Sequence, residues 1–171
     1  VKPIAFDQVE SSLINNGVDQ ELASHLSAIT GGHIQKALDY AENPSLLNNM
    51  YSDYMFMPNM LFIPIFERIK LAEETAQNYR GAKALVLASM DTWMLFWRDA
   101  IISSNEVNID APMTVKSELM TRDELKEMGI AIVEATSAIR AIQKAQLALQ
   151  SNGNARLIIE DLYMNLPLRI Q

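Results

Sequence analysis

Apolar residues recur along this chain at intervals of three and four, the signature of helices with one buried face. Val9 and Leu13 share a face, and Asp7 followed by Glu10 has the form of a capping box, so the first helix is expected to open at Asp7 and stop at Asn15-Asn16-Gly17. Asp19 is placed to cap a second helix carrying Leu22, Leu26 and Ile29, which Gly31-Gly32 breaks. A third carries Ile34, Ala37, Leu38 and Ala41 and ends before Pro44. The polar run 43–49 reads as a turn between domains, and Pro58 and Pro64 predict a break or kink beyond it.

Longer helices follow. One is expected over 66–78. Another covers 82–103, with a stripe of Leu85, Ser89, Trp93, Phe96 and Ala100. Residues 105–114 read as a loop and 115–120 as a short helical turn. Thr121 with Glu124 forms a second capping-box pattern, opening a helix to about Gln150 whose face runs Ala135, Ile139, Ile142, Ala145 and Leu149. Asn152-Gly153 stops it, Asn154 is placed to cap a last helix with Ile158, Leu162 and Leu166 on one side, and Pro167 ends that helix. No internal repeat or low-complexity segment interrupts the pattern. The expected fold class is all-α.

Composition narrows the functional classes. The 171 residues carry a formal net charge of −7, which argues against a chain that grips DNA by neutralising phosphates. Absence of cysteine removes disulfides, thiolate catalysis and cysteine–zinc sites. No apolar run is long enough to span a bilayer, and a cytoplasmic setting is expected. The sequence lacks a GxxxxGK[ST] loop and the HExxH, GxSxG and EF-hand patterns. His25 and His33, eight residues apart on different expected helices, do not make a metal site. Asp91, Asp99 and the pair Glu73-Glu74 read as solvated carboxylates, and Met50, Met55, Met57 and Met60 as core filler. The expectation is no catalytic residue, no cofactor and no metal. Gly31-Gly32 could cradle an anion, but a tight interhelical turn is the favoured reading of the pair.

Two stretches carry a resemblance. Leu26 to Glu42, LSAITGGHIQKALDYAE, is similar to the third lid helix of AAA+ clamp-loader subunits and the glycine pair that precedes it. In members that hydrolyse ATP, the third position after the second glycine is a sensor-2 arginine. Here it is Gln35, with Lys36 about 100° away around the helix. A neutral amide cannot supply the charge-assisted bonds that an arginine makes to a γ-phosphate. The stretch Trp93-Met94-Leu95-Phe96-Trp97-Arg98-Asp99 resembles a W-x-R-D collar helix, and Asn154 to Leu162 resembles a final N-x-x-L-x-x-E-x-L helix.

The resemblance covers essentially the whole chain and implies a three-helix lid over 1–45 followed by a helical collar over 46–171, with a nucleotide-binding domain preceding Val1. It implies a non-catalytic stator within the replicative polymerase holoenzyme. Its partners would be the gamma/tau and delta subunits, it would reach DNA only through the complex, and it would take no small-molecule substrate. Trp93, Trp97, Arg98, Asp99, Asn154, Arg156 and Glu160 are the candidate interface residues, with Gln35 as a degenerate nucleotide-sensing position. The alternatives are the collar of a gamma/tau motor subunit, an unrelated helical adaptor and an unrecognised enzyme.

Overall fold

The computed structural model describes residues 6–104, 113–114 and 119–169. Among them are nine α-helices and no strand: α1 Phe6–Asn15, α2 Gln20–Ile29, α3 Ile34–Glu42, α4 Pro44–Met60, α5 Ile65–Gly81, α6 Lys83–Ser103, α7 Arg122–Glu127, α8 Ile132–Gln150 and α9 Ala155–Asn165. The all-α class expected from the apolar spacing is the class observed. The chain divides into two compact units, Val1–Ser52 with Asp110–Arg122, and Asp53–Ile109 with Asp123–Gln171.

In the first unit, α1, α2 and α3 pack together around Val9, Leu13, Ala23, Leu26, Ala37 and Met50. Burial of apolar side chains at roughly 25 cal/mol per Å² drives that assembly. The local signals act as anticipated at three places. The Asp19 carboxylate accepts from the N–H groups of Glu21 (3.0 Å) and Leu22 (3.3 Å), satisfying donors that an uncapped helix would leave open. Gly17 ends α1 at φ +84°. Gly31 and Gly32 take φ +59° and +86° in the turn between α2 and α3, a conformation that costs an L side chain energy. Asp7 corrects the expectation: it lies inside the first turn of α1 rather than at its cap.

Three boundaries differ from the pattern reading. The run 43–49 is not a turn; only Asn43 separates α3 from α4, and α4 continues through Pro58 to Met60. Proline removes the N–H that would bond to Tyr54, but it does so in the last turn, where the helix is about to end. The division expected at 45/46 therefore meets a continuous helix, and the compact units part within α4, between Ser52 and Asp53. The helix expected from Thr121 to Gln150 is two helices. Gly129, at φ +60°, turns the chain between α7 and α8. The loop over 105–114 and the helical turn over 115–120 fall largely outside the described residues.

The second unit packs α5 against α9, α6 against α8, α8 against α9 and α5 against α6. The buried side of α6 is carried by Val86, Met90, Trp93 and Trp97 together with Phe96 and Ala100. Leu85, placed on the expected stripe, is 70% exposed. The stop at Asn152-Gly153 is a Schellman cap: Asn152 sits at φ 60°, its N–H donates to Leu149 O (3.2 Å), and the Gly153 N–H donates to Ala148 O (3.0 Å). A Cβ on Gly153 would lie 2.9 Å from Ala148 O and 2.6 Å from Ile158 Cδ1. Gly153→Ala is therefore expected to destabilise the chain by about 1–3 kcal/mol, and Asn152→Gly to stabilise it by about 0.5 kcal/mol, in urea denaturation. Equal midpoints for the wild type and Gly153→Ala would contradict the assignment of this cap.

Candidate functional site

In the second unit the described polar side chains include a buried knot at Arg68, a buried Tyr54–Asp99 pair and several surface pairs. Arg68, one turn into α5, is 1% exposed. Its Nε donates to Ile63 O (3.1 Å). Nη1 donates to Tyr163 O (2.9 Å) and Leu166 O (2.7 Å), and Nη2 to Met60 O (2.8 Å) and Pro167 O (2.8 Å). A guanidinium has five N–H donors, and this geometry satisfies all five on backbone carbonyls. Met60 is the last residue of α4, while Tyr163 and Leu166 belong to the end of α9, so the cation lies against two helix C-termini and their negative dipole ends. Burial lowers the Arg68 pKa, but an arginine starts high enough to keep its charge.

Around this knot the aromatic core closes. Phe56 stacks on Trp93 at 5.3 Å, and Tyr163 lies 6.0 Å from both rings. The Tyr163 hydroxyl meets Thr75 Oγ1 at 2.9 Å. Trp97 is fully buried, edge-on to Phe96 at 5.0 Å. Tyr54 donates to Asp99 Oδ2 at 3.0 Å, and Arg98 Nη1 reaches Asp99 Oδ1 at 3.0 Å. Burial first, and the Asp99 charge second, push the Tyr54 hydroxyl above its ordinary pKa, so it remains a neutral donor. Burial also raises the Tyr163 hydroxyl. Asp53, which accepts from Ser89 Oγ at 2.8 Å, is shifted up by burial.

The expected interface residues are thereby sorted. Trp93, Trp97 and Asp99 are buried within the second unit. Arg98 is partly exposed and bonded to Asp99. Asn154 caps α9, its Oδ1 accepting from the Leu157 N–H at 3.3 Å. Arg156 pairs with Glu160 (2.8 Å) on its own helix and with Glu73 (3.3 Å) on α5, so Arg156 and Glu160 come together as a surface clip between α5 and α9. In the first unit, Gln35 is exposed on α3 and donates to Asp39 Oδ1 at 3.0 Å. His25 Nε2 meets the Tyr51 hydroxyl at 2.7 Å, and His33 precedes α3. No group of three or more metal-ligating side chains occurs among the described residues. No helix among them is long and apolar enough to cross a membrane.

Arg68 and the Glu134–Arg169 pair were not among the expected residues. The signal for Arg68 lay in its spacing: Arg68, Ala72 and Ala76 recur at four-residue steps on the buried face of α5. Arg169 donates from Nη2 to Glu134 Oε2 (2.6 Å) and from Nη1 to Glu134 Oε1 (2.9 Å), while Glu134 Oε2 also accepts from the Ala131 N–H (2.9 Å) at the start of α8. A further apolar surface surrounds the α4–α5 turn. Phe62, Ile65, Phe66 and Ile69 are all exposed, Phe66 by 71%. No family model, curated protein or solved structure matches the chain.

Two outcomes follow. Arg68→Met orphans carbonyls that Arg68 now satisfies and is expected to cost about 3–5 kcal/mol in urea denaturation; Arg68→Lys, with three donors for five acceptors, is expected to lose at least about 2 kcal/mol. A loss under about 1 kcal/mol in both would remove Arg68 from its central place. The hydrogen bonds from Arg169, ahead of the Ala131 N–H, hold the Glu134 pKa below its ordinary value of 4.5. The stabilisation from Glu134 is therefore complete above that value and lost as pH falls through the lower folded-state pKa. Glu134→Gln should be less stable than wild type by about 1 kcal/mol at pH 7, and the gap should close in acid. A gap independent of pH would show that the carboxylate charge is not what matters.

Proposed function

We propose that the chain is the lid and collar region of a clamp-loader delta-prime subunit of DNA polymerase III, a non-catalytic stator that takes part in assembling the complex that loads sliding clamps during DNA replication. The family reading rests on the resemblance of Leu26–Glu42, Trp93–Asp99 and Asn154–Leu162 to lid and collar helices. An all-helical chain in two compact units is compatible with it. At the position corresponding to sensor 2, Gln35 offers an exposed neutral amide on α3, which fits a subunit that does not hydrolyse ATP.

The observation that carries an assembly role is the exposed apolar patch of Phe62, Ile65, Phe66 and Ile69. Four large apolar side chains within eight residues of one turn and helix start form a surface of the kind that marks interaction sites, and aromatic residues commonly anchor them. Trp93 and Trp97 are buried, whereas these four side chains are open to a partner.

The test is co-elution of the chain with the gamma/tau and delta subunits of the same organism, by size exclusion with light scattering. A defined hetero-oligomer is expected, and Phe66→Glu should weaken it at least about tenfold while leaving the helical circular dichroism unchanged. Failure of both the folded chain and a version joined to its nucleotide-binding domain to co-elute would contradict the reading. Co-elution untouched by Phe66→Glu would retain the family and discard the patch. A gamma/tau collar is the second reading, and Gln35 disfavours it.

A further inference from the structure

A groove runs between α8 and α9, apart from the apolar patch and sharing only Pro167 with the arginine knot. Its main cavity, about 480 Å³, has an apolar floor of Ala141, Ala145, Ile158 and Leu162. Arg140 and Lys144, one turn apart on α8, stand on one side; Asp161 and Asn165 stand on the other. A second cavity of about 300 Å³ reaches Val133 and Pro167 and shares Ser137 and Asn165 with the first, so the two form one channel. From Val133 to Ala148 the channel follows about 22 Å of α8, some four helical turns.

The charges along it are unevenly engaged. Glu134, at the far end, is held by Arg169, and the Asp161 carboxylate accepts from Asn165 Nδ2 at 3.0 Å. Arg140 and Lys144 are exposed and enter no ion pair among the described residues, on a chain whose net charge is −7. An apolar floor flanked on one side by two cations at i and i+4 is complementary to an amphipathic helix with carboxylates along one flank. The described lining contains no aromatic side chain on which a nucleic-acid base could stack.

We propose that the α8–α9 groove is a docking site for an amphipathic helix of a partner protein, its apolar seam on the alanine floor and its carboxylates facing Arg140 and Lys144. This inference does not depend on the clamp-loader reading. A partner helix seated here fits any assembly in which this chain takes part.

The test uses the whole chain and fluorescence anisotropy. The probe is a labelled helical peptide with a Leu/Ala seam and glutamates along one flank; its control is the same peptide with lysines in their place. The glutamate peptide is expected to bind at least about tenfold more tightly than the lysine peptide, and added salt should narrow that difference. The double variant Arg140→Glu, Lys144→Glu should reverse the preference. Ala141→Trp, which fills the floor without altering charge, should abolish binding of both peptides while circular dichroism reports an intact fold. Equal binding of the two peptides, no binding of either, or a preference unmoved by the double variant would overturn the proposal. So would binding of a thymine oligonucleotide in place of the peptide, or self-association that the same variants remove in sedimentation.

Discussion

The second unit depends on a buried cation that has no carboxylate partner among the described residues. Removing a guanidinium from water costs several kcal/mol, and the usual remedy is an ion pair. Here the remedy is five carbonyls, drawn from the end of α4, the turn that follows it, and the segment that closes α9. Helix ends always leave carbonyls without intrahelical partners. Arg68 collects those of two helices on one planar group, so the demand of the cation for acceptors and the demand of the helix ends for donors are met together. A cation early in α5 is unfavourable for that helix's own dipole; proximity to two C-terminal dipoles offsets this.

The other contacts of the unit extend the same joining. Tyr163 contributes its carbonyl to Arg68, its hydroxyl to Thr75 and its ring to Phe56 and Trp93. Arg156 clips α9 to Glu73 on the surface of α5. Arg169 lies two residues beyond the last carbonyl that Arg68 binds; its N–H donates to Leu61 O at 2.7 Å and its side chain engages Glu134. With the C-terminal segment fixed at these points, α9 forms one wall of the groove whose other wall is α8, and the turn at Phe62 to Phe66 holds its apolar side chains outward.

Local chemistry was legible in the sequence where the cause was local. Asp19 accepts from N–H groups two and three residues on, Asn152-Gly153 closes its own helix, and Gly31-Gly32 turns within two residues; each needs only its neighbours. The misreadings have equally physical sources. Gly129 lay inside a stretch whose helical periodicity continues on both sides, so the break at φ +60° left little trace in the apolar pattern. Pro58 ordinarily signals an end, yet in a last turn it removes one bond that the helix can spare. Asn43 to Asn49 is polar, but polarity there marks an exposed helix start rather than a turn.

The candidate site was legible in part. Arg156 and Glu160 could be paired from their four-residue spacing, but Glu73 came from another helix. Trp93 and Trp97 lie one turn apart on α6, and the burial of Trp93 depends on Phe56 from α4 and Tyr163 from α9, which the sequence of α6 does not encode. The spacing of Arg68 with Ala72 and Ala76 marked a buried position, but its role was not legible because its acceptors lie at 60–63 and 163–167, brought together by packing that no single helix encodes. The most direct measurement is amide hydrogen exchange on wild type and Arg68→Lys. If Arg68 joins these segments, protection should fall together at the end of α4, across the first turns of α5 and along α9. Lost protection confined to α5, with α9 unchanged, would contradict the account.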